Sequence, residues 1–307
     1  MDFQFSSVDW EQESYPHYHD LVVLPFFIIF FPLLRFVLDS LIFERLAKRL
    51  MFGKDKDNAK LKTSLKGKRI NKFKESAWKT VYSLSAELLA IMVIYNEPWF
   101  TNTKYFWTGP GEDQVWPDHK MKLKLKLLYM YCGGFYIYAI FAVLFWDIRR
   151  SDFVALLAHH VGTVILIVLS YIFRCGRVGA VILALHEGSD VFLETAKISK
   201  YSGLQSLANS LFVMFALSWW ILRLIYYPFW ILRSTSYEVL TILGKDNKTT
   251  QETVLYFVFN SLLFGLLGLH LYWGKILVRM VITQIKAKGQ IGDDARSDSE
   301  DEEKHQD

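Results

Sequence analysis

The sequence predicts an all-α membrane protein, a polytopic bundle of about seven transmembrane helices with a disordered acidic carboxyl-terminal tail. Of the 307 residues, 52% are apolar and 16% are aromatic, which is more than soluble domains of this length usually carry. Several apolar runs also reach the roughly 20 residues that a helix needs to cross a bilayer. The two cysteines can form neither a disulfide framework nor a zinc site of the usual spacing.

The apolar runs and the charges between them predict the spans and their orientation. We predict spans at 21–43, 79–96, 124–146, 153–173, 178–196, 205–231 and 253–283. Segment 44–79 holds thirteen Lys and Arg residues, and loops this basic stay in the cytosol. The amino terminus is therefore expected in the lumen and the carboxyl terminus in the cytosol. Because the fourth and fifth spans carry several charges, a re-entrant pair is an alternative that leaves the later topology unchanged.

The segments outside the spans have their own signals. Segment 97–119 is rich in Pro, Gly and Trp, which predicts an interfacial loop with aromatic rings at headgroup depth. Asn247 begins an Asn-Lys-Thr tripeptide and is a candidate glycosylation site in a predicted lumenal loop. Ser297 and Ser299 each have an acid three residues on and are candidate phosphorylation sites, with a merely solubilising tail as the alternative.

These features divide the chain into four predicted regions. They are a lumenal amino-terminal segment at 1–20, the first span with its basic cytosolic loop at 21–78, a membrane domain at 79–283, and an acidic cytosolic tail at 284–307.

Three histidines in the fourth and fifth spans predict a functional centre. The two spans are joined by a short stretch with two glycines, which predicts an antiparallel helical hairpin. Folding the sequence about residue 173 places position 160 opposite position 186, each roughly 20 Å from the turn. His159, His160 and His186 should therefore lie at one depth, nearer the cytosolic side.

Helical spacing adds polar partners to this centre. His186 and Asp190 are four residues apart and share one helical face, which Glu194 and Lys197 continue. A carboxylate beside an imidazole fixes its tautomer, so Asp190 is the predicted partner of His186. A lone histidine in a membrane is more often a structural hydrogen-bond donor, but three histidines with an aspartate indicate a functional centre.

Two other kinds of site fit the sequence less well. Membrane di-iron enzymes bind their metal through HxxxH and HxxHH boxes; this chain has eight histidines but no HxxxH, and His270 stands alone in the last span. No metal site is therefore expected. A transporter would use intramembrane charges as a proton relay, but no inverted repeat is found here.

Residues 159–201, HHVGTVILIVLSYIFRCGRVGAVILALHEGSDVFLETAKISKY, resemble the signature of the ceramide synthases, the longevity-assurance group of the TLC-domain family. The stretch WDIRRSDF at 146–153 resembles the arginine-bearing segment that precedes the double histidine in that family. The likeness runs from the first span to the acidic tail and is closest to plant members. Glu187 departs from the pattern, because the family usually has Asp there.

The resemblance implies a TLC-type helical bundle in the endoplasmic reticulum membrane that transfers a fatty acyl group from acyl-CoA to the amine of a sphingoid base. His159 or His160 would be the base or nucleophile, His186 a second acid/base, and Asp190 would orient an imidazole. The substrate-binding candidates are Arg149, Arg150, Thr163, Glu194 and Lys197. The cations among them either hold the phosphates of CoA or are ordinary positive-inside anchors. Arg177, at the lumenal turn, would cap a helix or contact a headgroup.

The resemblance also implies a selectivity region and a set of partners. Acyl length would be chosen at 232–252, with Leu232, Tyr237 and Thr241 as candidates, and plant likeness implies very-long-chain acyl groups. Acyl-CoA would be a co-substrate, with no cofactor. Expected partners are acyl-CoA, a long-chain base, the bilayer and a second chain in a homo- or heterodimer, but no nucleic acid. The alternative function is a non-catalytic TLC-domain protein that binds or regulates lipids.

Overall fold

Seven long helices make up most of the residues that the computed structural model describes, which are 8–52, 63–110, 114–244 and 249–286. Their bounds are Tyr18–Phe52 (α1), Thr63–Ile94 (α2), Leu123–Phe145 (α3), Phe153–Ile172 (α4), Gly176–Tyr201 (α5), Gln205–Ile242 (α6) and Thr250–Lys286 (α7). Among these described helices, six are long and apolar enough to cross a membrane. The predicted all-α membrane bundle is confirmed.

Helix α5 is the long helix that is too charged to count as an apolar span. Its 26 residues make it about 39 Å long, which is enough to cross a bilayer. It packs between α2 and α6, and Glu187 and Glu194 on it are buried in protein. Enclosure by other helices is the usual way in which a membrane protein carries such residues, because their exposure to lipid would be costly.

The first two helices extend beyond the predicted spans. We predicted spans at 21–43 and 79–96 with a basic loop between them, but α1 continues to Phe52 and α2 already begins at Thr63. Lys, Arg and Leu are good helix formers, so the backbone stays helical where the chain has become too basic for hydrocarbon. Hydropathy detected only the apolar part of each helix.

The largest core lies where α1, α2 and α3 meet. The ring of Phe31 on α1 contacts Trp78 on α2 and Phe135 on α3, with centroids 6.3 and 5.3 Å apart. Next to this core, the Arg35 guanidinium donates to the Tyr138 hydroxyl and to Asp147 Oδ1, both at 2.8 Å. These contacts fix the end of the bundle that carries the connection 146–152, which we call the basic end.

The opposite end of the bundle, defined by loop 95–122 and turn 173–175, is tied together by an arginine. Arg177 at the start of α5 donates to the carbonyl oxygens of Tyr105 and Thr108 at 2.8 and 3.2 Å, and to Gln114 Oε1 at 3.0 Å. The helix-capping role predicted for Arg177 agrees with its contact to Tyr105, which belongs to the short helical turn Thr103–Phe106.

Loop 95–122 is folded against the bundle. It contains the short helical turns Pro98–Thr101 and Thr103–Phe106, and its strand Met121–Lys122 pairs antiparallel with Glu13–Ser14. Trp99, Phe106 and Trp107 are buried against the bundle, and the headgroup depth of this loop stays a prediction. Pro and Trp in this segment therefore build a folded cover over the helix ends.

The predicted loop 232–252 is mostly helix. Helix α6 continues to Ile242, with the wider i→i+5 hydrogen-bond pattern over Trp220–Leu232 and Ser234–Glu238. This pattern accommodates Pro228 within the helix, since proline cannot donate to the preceding turn. Asn247, Ser297 and Ser299 lie outside the described residues.

Candidate active site

The predicted meeting of histidines from α4 and α5 is confirmed. The rings of His159 and His186 stack with their centroids 5.7 Å apart and an interplanar angle of 24°. His160 lies 5.5 Å from His159 on the same helix. The direct neighbour of His186 is thus His159. The hairpin model had placed position 160 opposite position 186, one residue away. We call these three side chains the histidine layer.

Helix α7 adds a fourth histidine that we had interpreted as standing alone. Nε2 of His270 lies 2.8 Å from Nε2 of His186. One turn further along α7, the indole of Trp273 meets the His159 ring edge to face at 5.5 Å and donates to Asp152 Oδ2 at 3.0 Å. The interpretation of His270 was wrong because no local pattern relates it to His186, which lies 84 positions earlier.

Asp190 does not pair with the ring of His186 as predicted. Its Oδ1 accepts a hydrogen bond of 2.8 Å from Arg223 of α6, which also donates to the backbone carbonyl of His186 at 2.6 Å. The two ring nitrogens of His186 contact the carbonyl oxygen of Ile182 at 2.6 Å and His270. The i,i+4 spacing does place both residues on one face, but a guanidinium binds a carboxylate more strongly than a neutral imidazole does.

Glu187 joins three helices beside the histidine layer. Its Oε1 accepts hydrogen bonds from the hydroxyls of Tyr82 on α2 and Tyr136 on α3, at 3.1 and 3.0 Å. The ring of Tyr136 in turn lies 5.6 Å from that of His160. Oε1 of Glu187 therefore links α5 to both neighbouring helices.

Two cavities lie on either side of the histidine layer. The larger, of about 320 Å³, extends towards the opposite end of the bundle and is lined mainly by apolar side chains, with His186 and Tyr136 at its inner limit. The smaller, of about 170 Å³, extends towards the basic end and contains His159 and His160 in its wall. Tyr136 lines both cavities, so the histidines stand at the boundary between an apolar and a charged space.

The smaller cavity collects cations from five helices or connections. They are Arg35, Lys79, Arg150, Lys197 and Arg223. Acids stand among them: Glu75 pairs with Lys79 and Arg150, both at 2.6 Å. Burial alone would raise the pKa of Asp147, but Lys79 and Arg35 hold that pKa below its ordinary value. Lys197 and Arg223 are likewise paired, with Glu194 and Asp190. All five cations therefore have a carboxylate partner, and a polyanion would have to compete with these carboxylates.

The predicted substrate-binding residues are divided between different places. Arg150, Glu194 and Lys197 line the smaller cavity, with Lys197 donating to Glu194 at 2.8 Å. Thr163 lines the larger cavity and donates to the His159 carbonyl oxygen at 2.8 Å. The Arg149 guanidinium instead stacks 4.2 Å from the ring of Phe153. Sequence reasoning missed Arg35, Lys79 and Arg223, because each lies within an otherwise apolar or basic helix whose orientation was unknown.

The three predicted selectivity residues do not line the larger cavity, although their neighbours do. Leu232 is buried elsewhere in the core, and Tyr237 is 63% exposed; Thr241 donates to the Glu238 carbonyl oxygen. Thr235, Val239 and Ile242 face the cavity instead, following helical periodicity. Because α6 extends through this segment as a helix, its periodicity decides which positions face the cavity and which face away.

The fold and site define a polytopic membrane protein with a buried histidine centre between a charged and an apolar cavity. Residues 72–279 match the TLC domain family, and the chain belongs to that family, which confirms the resemblance. It is 59% identical over 295 residues to an ASC1-like protein of Solanum lycopersicum, covering 96% of each chain. It is 57% identical over 301 residues to Ceramide synthase 1 LOH3 of Arabidopsis thaliana, covering 98% of this chain and 97% of that protein. To human Ceramide synthase 5 it is 32% identical over 238 residues, covering 78% of this chain and 57% of that protein.

Proposed function

We propose that the protein is a sphingoid base N-acyltransferase, a ceramide synthase, that uses fatty acyl-CoA. Relatives named ceramide synthase match nearly its whole length. The observation that carries the proposal is the position of the histidine layer, between a cavity lined by paired cations and acids and an apolar one. An acyl-CoA has the same division, because a polyanionic head is joined to an apolar chain by the reactive thioester.

The two cavities suggest how the substrate is held. The phosphates of CoA suit the cations of the smaller cavity, since Arg and Lys form charge-assisted hydrogen bonds with phosphate. The acyl chain suits the larger cavity, where its burial is favourable by roughly 25 cal/mol per Å² of apolar surface. The thioester would then lie at the histidine layer, next to His159 and His160.

The reaction removes two protons from the amine. A long-chain amine is largely protonated at neutral pH, and it releases the first proton to solvent before its nitrogen attacks the thioester carbonyl. As the C–N bond forms, His159 or His160 takes the second proton from that nitrogen; the C–S bond breaks, and the histidine passes the proton to the thiolate of CoA. Attack by a histidine on the thioester, giving an acyl-imidazole that the amine resolves, is the alternative route.

The finer assignments belong to the same proposal. They are location in the endoplasmic reticulum with the basic end in the cytosol, very-long-chain acyl groups, no cofactor besides the acyl-CoA co-substrate, and a homo- or heterodimer. The cytosolic position of the basic end agrees with the excess of Lys and Arg there. Modification of Asn247, Ser297 and Ser299 stays a prediction.

The test is ceramide formation in microsomes from cells that lack their own ceramide synthase. The parent chain, a His159→Ala, His160→Ala double variant and a Leu217→Val control at a lipid-exposed position of α6 are expressed at matched levels. They receive sphinganine and a panel of acyl-CoAs. We expect ceramide from the parent and control, and a loss of at least about a hundredfold in the double variant. A well-expressed parent that makes no ceramide from any acyl-CoA would contradict the proposal and favour a non-catalytic lipid-binding protein.

A further inference from the structure

The contact between His186 and His270 determines which ring nitrogens carry protons. Nδ1 of His186 lies 2.6 Å from the carbonyl oxygen of Ile182, and a carbonyl can only accept, so this nitrogen carries the hydrogen. At 2.8 Å, one of the two facing Nε2 atoms must donate and the other must accept. Either neutral His186 accepts from His270, or a positively charged His186 donates to it.

The charges around the pair favour the neutral arrangement. Arg223 of α6 donates to the backbone carbonyl of His186 and is already paired with Asp190 of α5. An imidazolium at His186 would place a second cation beside this guanidinium in a buried, weakly screening environment. The other titratable rings against the pair, His159 of α4 and Tyr227 of α6, supply no negative charge while they are neutral.

His270 itself fits the donor role. With its hydrogen on Nε2, its Nδ1 carries a lone pair, and among the described residues no hydrogen bond of ordinary geometry reaches this nitrogen, although the Arg223 backbone lies close to the His270 ring. An enclosed lone pair costs less than an enclosed N–H group without an acceptor. The hydrogen bonds therefore run in one direction, from His270 Nε2–H to His186 Nε2 and from His186 Nδ1–H to the Ile182 carbonyl.

We propose that His270 is a positioning residue that occupies the Nε2 lone pair of His186, whose Nδ1–H is held by the Ile182 carbonyl, and so removes His186 from proton transfer. With both nitrogens engaged, His186 has no lone pair left for a substrate. It serves instead as a fixed, neutral ring stacked against His159, and the proton of the reaction is handled by His159 or His160. The second acid/base role that the family resemblance implied for His186 is thereby excluded.

The kinetic part of this inference rests on the proposed function and is tested with the purified full-length protein in nanodiscs. His270→Gln retains an N–H donor that does not titrate, whereas His270→Leu has no donor. Leu271→Val, at the adjacent lipid-exposed position, is the matched control. The readouts are kcat and KM for acyl-CoA, the pH dependence of kcat, and the melting temperature.

We expect His270→Gln and Leu271→Val to keep the kcat and pH profile of the parent. His270→Leu should lose on the order of tenfold or more in kcat with little change in KM, because the ring stacked against His159 is no longer held at Nε2. The pH profile of kcat for His270→Leu should also show a second ionisation on its acid side, because Nε2 of His186 can then bind a proton. Equal losses in the Gln and Leu variants with normal melting temperatures, or an unchanged His270→Leu, would overturn the inference.

A spectroscopic measurement decides the tautomer whether or not the protein makes ceramide. In ¹⁵N-histidine-labelled protein, the ring signals that disappear in His186→Gln belong to His186. We expect a protonated Nδ1 and an unprotonated Nε2, with the Nε2 signal shifting in His270→Leu. If Nε2 of His186 is protonated, the inference fails even when the parent is active; if the parent is inactive, only the proposed function fails.

Discussion

At the scale of single residues, Glu187 shows how one side chain can join three helices. One carboxylate oxygen receives both the Tyr82 and Tyr136 hydroxyls, which come from different helices. A buried hydroxyl that loses its partner costs about 1–3 kcal/mol. The Glu187 side chain therefore contributes mainly to stability, because it accepts hydrogen bonds from two buried tyrosine hydroxyls and so holds α2, α3 and α5 together.

Glu187→Leu should consequently lower the free energy of unfolding by about 2–5 kcal/mol, since two hydroxyls lose their acceptor. Glu187→Gln keeps an acceptor oxygen at the same reach and should unfold close to the parent. Glu187→Asp, one methylene shorter, should fall between them because it cannot reach both hydroxyls. Denaturant unfolding of the three variants in detergent checks this order, and equal stability of the Leu and Gln variants would contradict it.

The residues of the site differ in how far the sequence could predict them. His159 and His186 could be placed together because a short turn and a fixed rise of 1.5 Å per residue determine which positions of a hairpin face each other. His270 and Arg223 could not, since the rotation of α7 and α6 about their own axes depends on packing across the whole bundle. For the same reason Asp190 was assigned to the nearest residue on its own helix, although its partner comes from α6.

At the scale of elements, the helix type and number were predictable, whereas the helix ends were not. Apolar composition reports residence in hydrocarbon, but α2 begins among lysines at Thr63 and α6 continues to Ile242 past the apolar run. Loop 95–122 was assigned to the headgroup region because Trp and Pro are common there. Its folding onto the bundle depends on Arg177 and on His119, which hydrogen-bonds the Gln114 carbonyl at 3.2 Å.

This loop should be sensitive to acid. Burial, with a smaller effect of nearby Arg177, lowers the pKa of His119 from 6.5 to about 4. Between these pH values the unfolded chain binds a proton that the folded loop does not. The contribution of His119 to the free energy of unfolding is therefore fully present above pH 6.5 and is lost as the pH falls towards 4. The loss is at most about 3 kcal/mol.

The pH dependence of the melting temperature tests this contribution. His119→Gln keeps a donor but does not titrate, so its melting temperature should fall less steeply than that of the parent between pH 6.5 and 4. Protease cleavage within loop 95–122 should likewise increase towards acid pH in the parent more than in the variant. Parallel curves for the two proteins would show that His119 remains solvated in the folded state.

At the scale of the whole molecule, the bundle separates two chemical environments with one layer of side chains. Arg35, Lys79 and Arg150 give the basic end a cluster of cations, while the space beyond Tyr136 is enclosed by α3 to α7 and is mainly apolar. This separation arises from many helices at once, which is why no single motif predicted it. Under the proposed function, the depth of the apolar cavity limits the length of the acyl chain.

Narrowing the larger cavity should therefore shift the preference to shorter acyl groups. Val239 on α6 lines the cavity some distance from the histidine layer, so Val239→Trp should fill its distal part while the reacting groups stay in place. We expect the ratio of kcat/KM for long over short acyl-CoAs to fall by at least about tenfold, since loss of even one methylene's space in an apolar pocket is worth 10-fold or more. Tyr237→Trp is the matched control, because Tyr237 is on the same helix but is 63% exposed. Competition assays with mixed acyl-CoAs measure both ratios. A shift in the control as large as that in Val239→Trp would assign selectivity to Tyr237, one of the candidates that the resemblance implied within 232–252, rather than to the cavity.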